Sequence, residues 1–180
     1  MSWDRLLAAG RIARHRTSAA ELDALRGAIA LNLGDAALPG LSADNRYGLA
    51  YEAVLLAAKL AVAAAGFRVK AVPGAHRATF EALALALGPS SEPPVSYFEL
   101  ARRRRNEFSY EAAGIVTDRE AGEMTREAKR LPQLIEGWLQ RGTAGRWTPE
   151  AHGEHPTGVD APEEPGAGTS LRAKPTPRLS

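Results

Sequence analysis

No cysteine occurs in the 180 residues, which excludes disulfides, thiol nucleophiles and cysteine-held metals. Such a chain suits a reducing compartment, and a cytoplasmic location is expected. Aromatic residues make up only 6% of the chain and β-branched residues are few beside alanine, so helix is favoured over sheet throughout. Charge of one sign is not in large excess. The formal net charge is +2, so any affinity for nucleic acid must come from local clustering. The opening turns hold Trp3, Asp4 and Arg5 rather than an apolar stretch after basic residues, and no secretory leader is expected. The apolar run Ala61 to Gly66 is too short to cross a bilayer, and no membrane partner is expected. Gly-x-Ser-x-Gly and the Gly-rich phosphate loop are both missing, which argues against serine-triad and P-loop chemistry. Of four histidines, His152 and His155 form a His-x-x-His pair without an ordered scaffold, and His15 lies on a surface between Arg14 and Arg16. No metal site and no cofactor are expected.

What is present reads as an all-α, up-and-down bundle of about five helices over residues 2–142. A short first helix is predicted from Ser2 to about His15. Ser18-x-x-Glu21 opens a second as a capping box, with Leu22, Leu25, Ile29 and Leu33 as its stripe and Gly34 as its stop. Ser42 caps a third, whose inner side holds Tyr47, Tyr51, Val54, Leu55, Ala58 and Val62, ended by Gly66. Glu52, on this helix, is a candidate partner for an arginine further on. A loop with Arg68 and Lys70 leads to a fourth helix that buries Phe80, Leu83 and Leu87. No strand is predicted; Val69 to Val72 is too short. Pro89 to Pro94 reads as a linker that no helix crosses. Ser96-x-x-Glu99 then caps a helix to about Ala112. Thr117-x-x-Glu120 caps the last one, with Ala121, Met124, Ala128, Leu131, Leu134, Ile135, Trp138 and Leu139 on one face, a kink at Pro132 and an end at Gly142. Residues 143–180 are rich in Gly, Pro and charge and lack a period, so a disordered tail is expected, with Trp147 its one large anchor.

The most informative stretch is Tyr97 to Tyr110. Four arginines, Arg102 to Arg105, run into Asn106-x-x-x-Tyr110 within a helical segment. A buried helix cannot hold four adjacent guanidinium groups without partners. Tyr97, Leu100, Arg104 and Phe108 fall at helical spacing, with Arg104 a polar interruption in an apolar stripe. Arg103, Asn106 and Tyr110 share one face, and Arg102, Arg105 and Ser109 the next. Planar guanidinium groups match phosphate oxygens two at a time, so this patch suits a phosphate. The bland reading of the same patch is a solvated or salt-bridged basic face. His76 stands at the start of the fourth helix beside Arg77 and has the same two readings, phosphate contact or local packing.

These residues resemble the HEPN domain, a small all-α module. The match rests on three parts across about residues 45–141. The alanine-rich helix Tyr51 to Leu60 is followed by Gly66 and by a loop with Lys70 and His76-Arg77. Arg105-Asn106-x-x-x-Tyr110 resembles the family's Arg-Asn-x-x-x-His signature. Thr117 to Ala121 with Arg126-Glu127-Ala128 resembles the closing helix. The resemblance implies a metal-independent ribonuclease of the toxin–antitoxin or defence type, usually a homodimer, with a nucleotidyltransferase as a common partner. It implies that Arg105 holds the scissile phosphate, Asn106 orients it and position 110 handles protons; from the basic patch itself, Arg102 and Arg103, with His76, are expected to contact RNA. Position 110 is Tyr here, and a phenol of ordinary pKa about 10 donates a hydrogen bond but is a poor base at neutral pH.

Three functions therefore stand side by side. The first is an RNA- or nucleotide-binding module with little or no catalysis. The second is an active endoribonuclease using Arg105 and Tyr110, with His76 a substitute base. The third is a helical module that docks on an acidic protein such as a nucleotidyltransferase. A homodimer is expected under the first two, since two such helices about a two-fold axis form one cleft. An anion between them, or Glu99, Glu107 and Glu111, would balance the arginines.

Overall fold

The computed structural model describes residues 1–88, 92–110 and 114–142, apart from the side chains of 92, 93 and 105–110. The expected tail, with Trp147, His152 and His155, lies outside the described residues. Alanine dictates the architecture. In α3 (Ala43–Ala64), Ala50, Ala53, Ala57, Ala58 and Ala61 are all buried, as are Tyr47, Tyr51, Val54, Leu55, Leu60 and Val62. A helix that is apolar almost all round must be covered on most sides, and small side chains let its neighbours approach closely. Packed against it are α2 (Ala19–Asp35), α4 (Ala75–Leu87), α5 (Glu92–Tyr110) and α6 (Asp118–Gln140). With the short α1 (Trp3–Ala8), the described residues hold six helices, five of them substantial. By length and composition α3 is apolar enough to cross a membrane, unlike the short run at Ala61; 67% of its most apolar window is buried within the fold.

Caps explain most helix starts. The hydroxyls of Ser18 and Ser42 accept from the N–H of Glu21 and Asn45, and Thr117 with Glu120 forms a full capping box. The box expected at Ser18 is half made, because Glu21 turns its carboxylate to His15 Nε2 at 2.8 Å. His15 is accordingly a half-buried partner rather than a bare surface residue. α6 continues through Pro132 and ends beside Gly142, whose φ is 65°. Its buried face carries Ala121, Met124, Ala128, Leu131, Ile135 and Trp138. The bidentate Arg26–Glu136 pair, at 2.7 and 3.1 Å, ties α2 to α6.

The structure corrects four further sequence expectations. The first helix stops at Ala8, not near His15, because Gly10 takes a left-handed φ of 66° and turns the chain. Beyond it lies a strand, β1 (Ile12–Arg14), which pairs antiparallel with β2 (Phe67–Val69). Three residues are too few to show an alternating pattern. The prolines do not end the linker: α5 begins at Glu92, and Pro93 and Pro94 sit in its first turn, where a missing N–H costs nothing. Ser96 is thus inside the helix, not its cap. Finally, the buried side of α5 is Phe98 and Ala101, whereas Leu100 is 65% exposed.

Phe98 attaches α5 to the core. It is fully buried, stacks on Phe80 at 6.1 Å and meets Tyr97 edge-on at 5.4 Å. Phe98→Ala is expected to lower stability by about 3–5 kcal/mol in urea denaturation. Leu100→Ala, two residues on, is expected to cost no more than about 0.5 kcal/mol. Equal effects of the two would contradict this orientation of α5.

Candidate nucleic-acid interface

Each helical residue is turned by about 100° from the last, so Arg102, Arg103 and Arg104 leave α5 in different directions. Of these three, whose side chains are described, Arg104 is the one with polar contacts beyond its own helix among the described residues. Its Nη2 donates to the Ile115 carbonyl at 3.0 Å and lies 3.4 Å from Glu120 Oε1. The turn that offers these acceptors is itself held. Asp44, in the first turn of α3, accepts from the N–H of Gly114 and, at 2.9 Å, from that of Val116. Gly114 has a φ of 94°, which a side chain there would strain. Arg46 reaches Asp118 on the next turn of the chain. The starts of α3 and α6 and the middle of α5 therefore meet in one polar clasp.

The clasp sets carboxyl ionisation. The Gly114 and then the Val116 N–H hold the Asp44 carboxyl below its usual range, with Arg104 adding attraction. The Thr117 backbone N–H, then its hydroxyl, do the same for Glu120, again helped by Arg104. These are charge-favouring hydrogen bonds.

Beside the clasp lies a cleft of about 510 Å³, lined by Tyr47, Tyr97, Leu100, Arg103 and Arg104 from one side and Glu120 and Glu123 from the other. Tyr47 Oη donates to the Ala101 carbonyl at 3.4 Å. Burial pushes both phenols up, most at Tyr47, so they are neutral hydrogen-bond donors and not bases at neutral pH. Arg103 is exposed and makes no ion pair among the described residues. Arg102 differs: its Nε lies 3.3 Å from Glu99 Oε2 and its side chain is only 21% exposed. This is a pair within one helix, three residues apart.

Arg105, Asn106 and Tyr110 lie on α5, but their side chains, like those of Glu107 and Phe108, are outside the described residues, as is Glu111. His76 is half-buried in the first turn of α4, with Nδ1 3.3 Å from Tyr51 Oη. Tyr51 meets Phe80 edge-on and Phe80 stacks on Phe98, so an aromatic chain links His76 to α5. Glu52 is half-buried and pairs with no arginine among the described residues. No cluster of three or more metal-ligating side chains occurs among them. Sequence reading marked Arg104 as the odd residue of its stripe, which was the right signal. Asp44 carried no such mark, because its partners are some seventy residues away.

In comparisons with known proteins, the chain matches no family, no curated protein and no solved structure.

A group whose folded pKa is depressed stabilises the fold above its unfolded pKa and loses that effect as pH falls through the folded value. Asp44→Asn combined with Glu120→Gln is therefore expected to flatten the acid limb of stability against pH in urea titrations. An acid limb as steep as that of the parent chain would show that the clasp does not depend on these charges.

Proposed function

We propose that this chain is a HEPN-like helical module that binds RNA or a nucleotide through the outward arginines of α5. Arg103, exposed at the rim of a cleft and without an ion pair among the described residues, carries this reading. An arginine held beside the neutral Tyr97 phenol offers a phosphate a bidentate cation and one further donor, Tyr47 being already committed to the Ala101 carbonyl. Arg105 and Asn106 are assigned to the same function by their place in the signature. Binding without rapid cleavage is the favoured activity, because Tyr110 stands where a titrating histidine would supply base and acid. A toxin–antitoxin or defence setting, a homodimer and a nucleotidyltransferase partner complete the proposal.

Arg103→Ala is expected to weaken RNA binding roughly tenfold and to lower the salt slope by about 0.7 for a single strand. Arg104→Ala should instead cost about 0.5–1.5 kcal/mol of folding stability, since it removes part-buried hydrogen bonds to Ile115 and Glu120. Unchanged affinity and slope in the Arg103 variant would reject the reading. Incubation of a mixed RNA pool in EDTA separates binding from catalysis. Intact RNA is expected. Cleavage that vanishes in Arg105→Ala would instead make the chain a metal-independent ribonuclease.

A further inference from the structure

The β1–β2 ribbon presents a second basic surface, away from the arginine run in sequence. Pairing sets Ile12 against Val69, Ala13 against Arg68 and Arg14 against Phe67. It continues at both ends: the Lys70 N–H donates to the Arg11 carbonyl at 2.9 Å and the His15 N–H to the Gly66 carbonyl at 2.8 Å. Side chains alternate between the two faces of a strand. Ile12 and Phe67 are buried on the inner face. The outer face therefore carries Arg11, Ala13, His15, Gly66, Arg68 and Lys70. Four of these six are basic and the other two are very small. No bulky side chain stands between the cations and an approaching polymer.

The nearby carboxylates are already engaged. Glu81 holds both Arg11 and Arg77 at 2.9 Å, and Glu21 holds His15. Arg68 and Lys70 are exposed and form no ion pair among the described residues, and neither does exposed Arg16 just beyond β1. Five cations here (Arg11, Arg16, Arg68, Lys70, Arg77) face two carboxylates (Glu21, Glu81), an excess of three, against +2 for the whole chain. That excess favours a polyanion.

We propose that this ribbon face is a second nucleic-acid contact, in which Arg68 and Lys70 each take a backbone phosphate. The proposal rests on the RNA-binding reading of α5 and extends it to a second surface. Two residues along a strand are about 6.6 Å apart, so the two cations can engage separate phosphates. The outer face has no Phe, Tyr or Trp on which a base could stack, and its one imidazole, His15, is engaged by Glu21. Contact is therefore with the backbone and independent of sequence. A bilayer fits less well, because Val72, in the loop after the ribbon, is only 39% exposed and a single such side chain is too little to anchor insertion.

The test is fluorescence anisotropy with a labelled RNA hairpin over a range of salt concentrations, with anionic phospholipid vesicles in parallel. The proteins are the full chain, Arg68→Ala/Lys70→Ala, Arg103→Ala and the distant control Lys129→Ala. Circular dichroism confirms that each is folded. The ribbon double variant is expected to bind at least tenfold more weakly at low salt, with a salt slope lower by about 1.4–1.8; Lys129→Ala should match the parent. Parent-like affinity and slope in the ribbon variant, alongside weakened binding in Arg103→Ala, would overturn the ribbon proposal and leave the α5 reading standing. No RNA binding by the parent chain would remove both. Binding to vesicles but not RNA, lost in the ribbon variant, would overturn the proposal in favour of a lipid surface.

Discussion

Arg104 faces inward because helical rotation leaves no way for four consecutive side chains all to reach water on a helix packed against a bundle. Burying a guanidinium without partners is costly, so the fold supplies Ile115 and Glu120, and Asp44 holds the turn that bears them. Once Arg104 is fixed, the rotation of α5 is fixed with it. Phe98 and Ala101 then meet the core, and Leu100 and Arg103 meet solvent. One polar contact thus decides which cations a ligand can reach. Within one arginine run Arg104 builds, Arg102 pairs along its own helix and Arg103 is presented to solvent.

The rest of the bundle supports that arrangement through α3. Its alanines let α5 and α6 come close on one side and α2 on another, while Tyr47 donates to the backbone of α5 from the same helix. At the far end of α3 the chain enters β2, so the ribbon and the clasp are tied to opposite ends of one rigid rod. Basic surfaces attached to a common rigid element keep their separation, which is what a binding site on an extended polymer requires.

Much of this was legible from residue pattern. Ser42 followed by the stripe from Tyr47 to Val62 marked α3 and its buried side, and Thr117-x-x-Glu120 marked the start of α6. These signals are local, and local geometry settles them. Errors arose where one residue type serves two purposes. Pro93-Pro94 reads as a break but also fits a first helical turn, which moved the start of α5 back from Ser96 to Glu92; the buried face, on Phe98 rather than Leu100, follows from how α5 packs. Glu21 fits a capping box but found a better partner in His15. The ribbon was invisible because each strand is three residues long and its pairing spans more than fifty residues of chain. Asp44 was invisible for the same reason of distance. Of the candidate site, the arginine run and the special position of Arg104 could be read from sequence, while the division of labour among the arginines could not.

The most direct test of that division is NMR of the arginine side-chain Nε–Hε groups in ¹⁵N-labelled protein during titration with a short RNA. The Arg103 signal is expected to shift and saturate with the RNA, while the Arg104 signal, locked by Ile115 and Glu120, keeps its position and its protection from solvent exchange. A titration in which Arg104 moves and Arg103 does not would contradict the account.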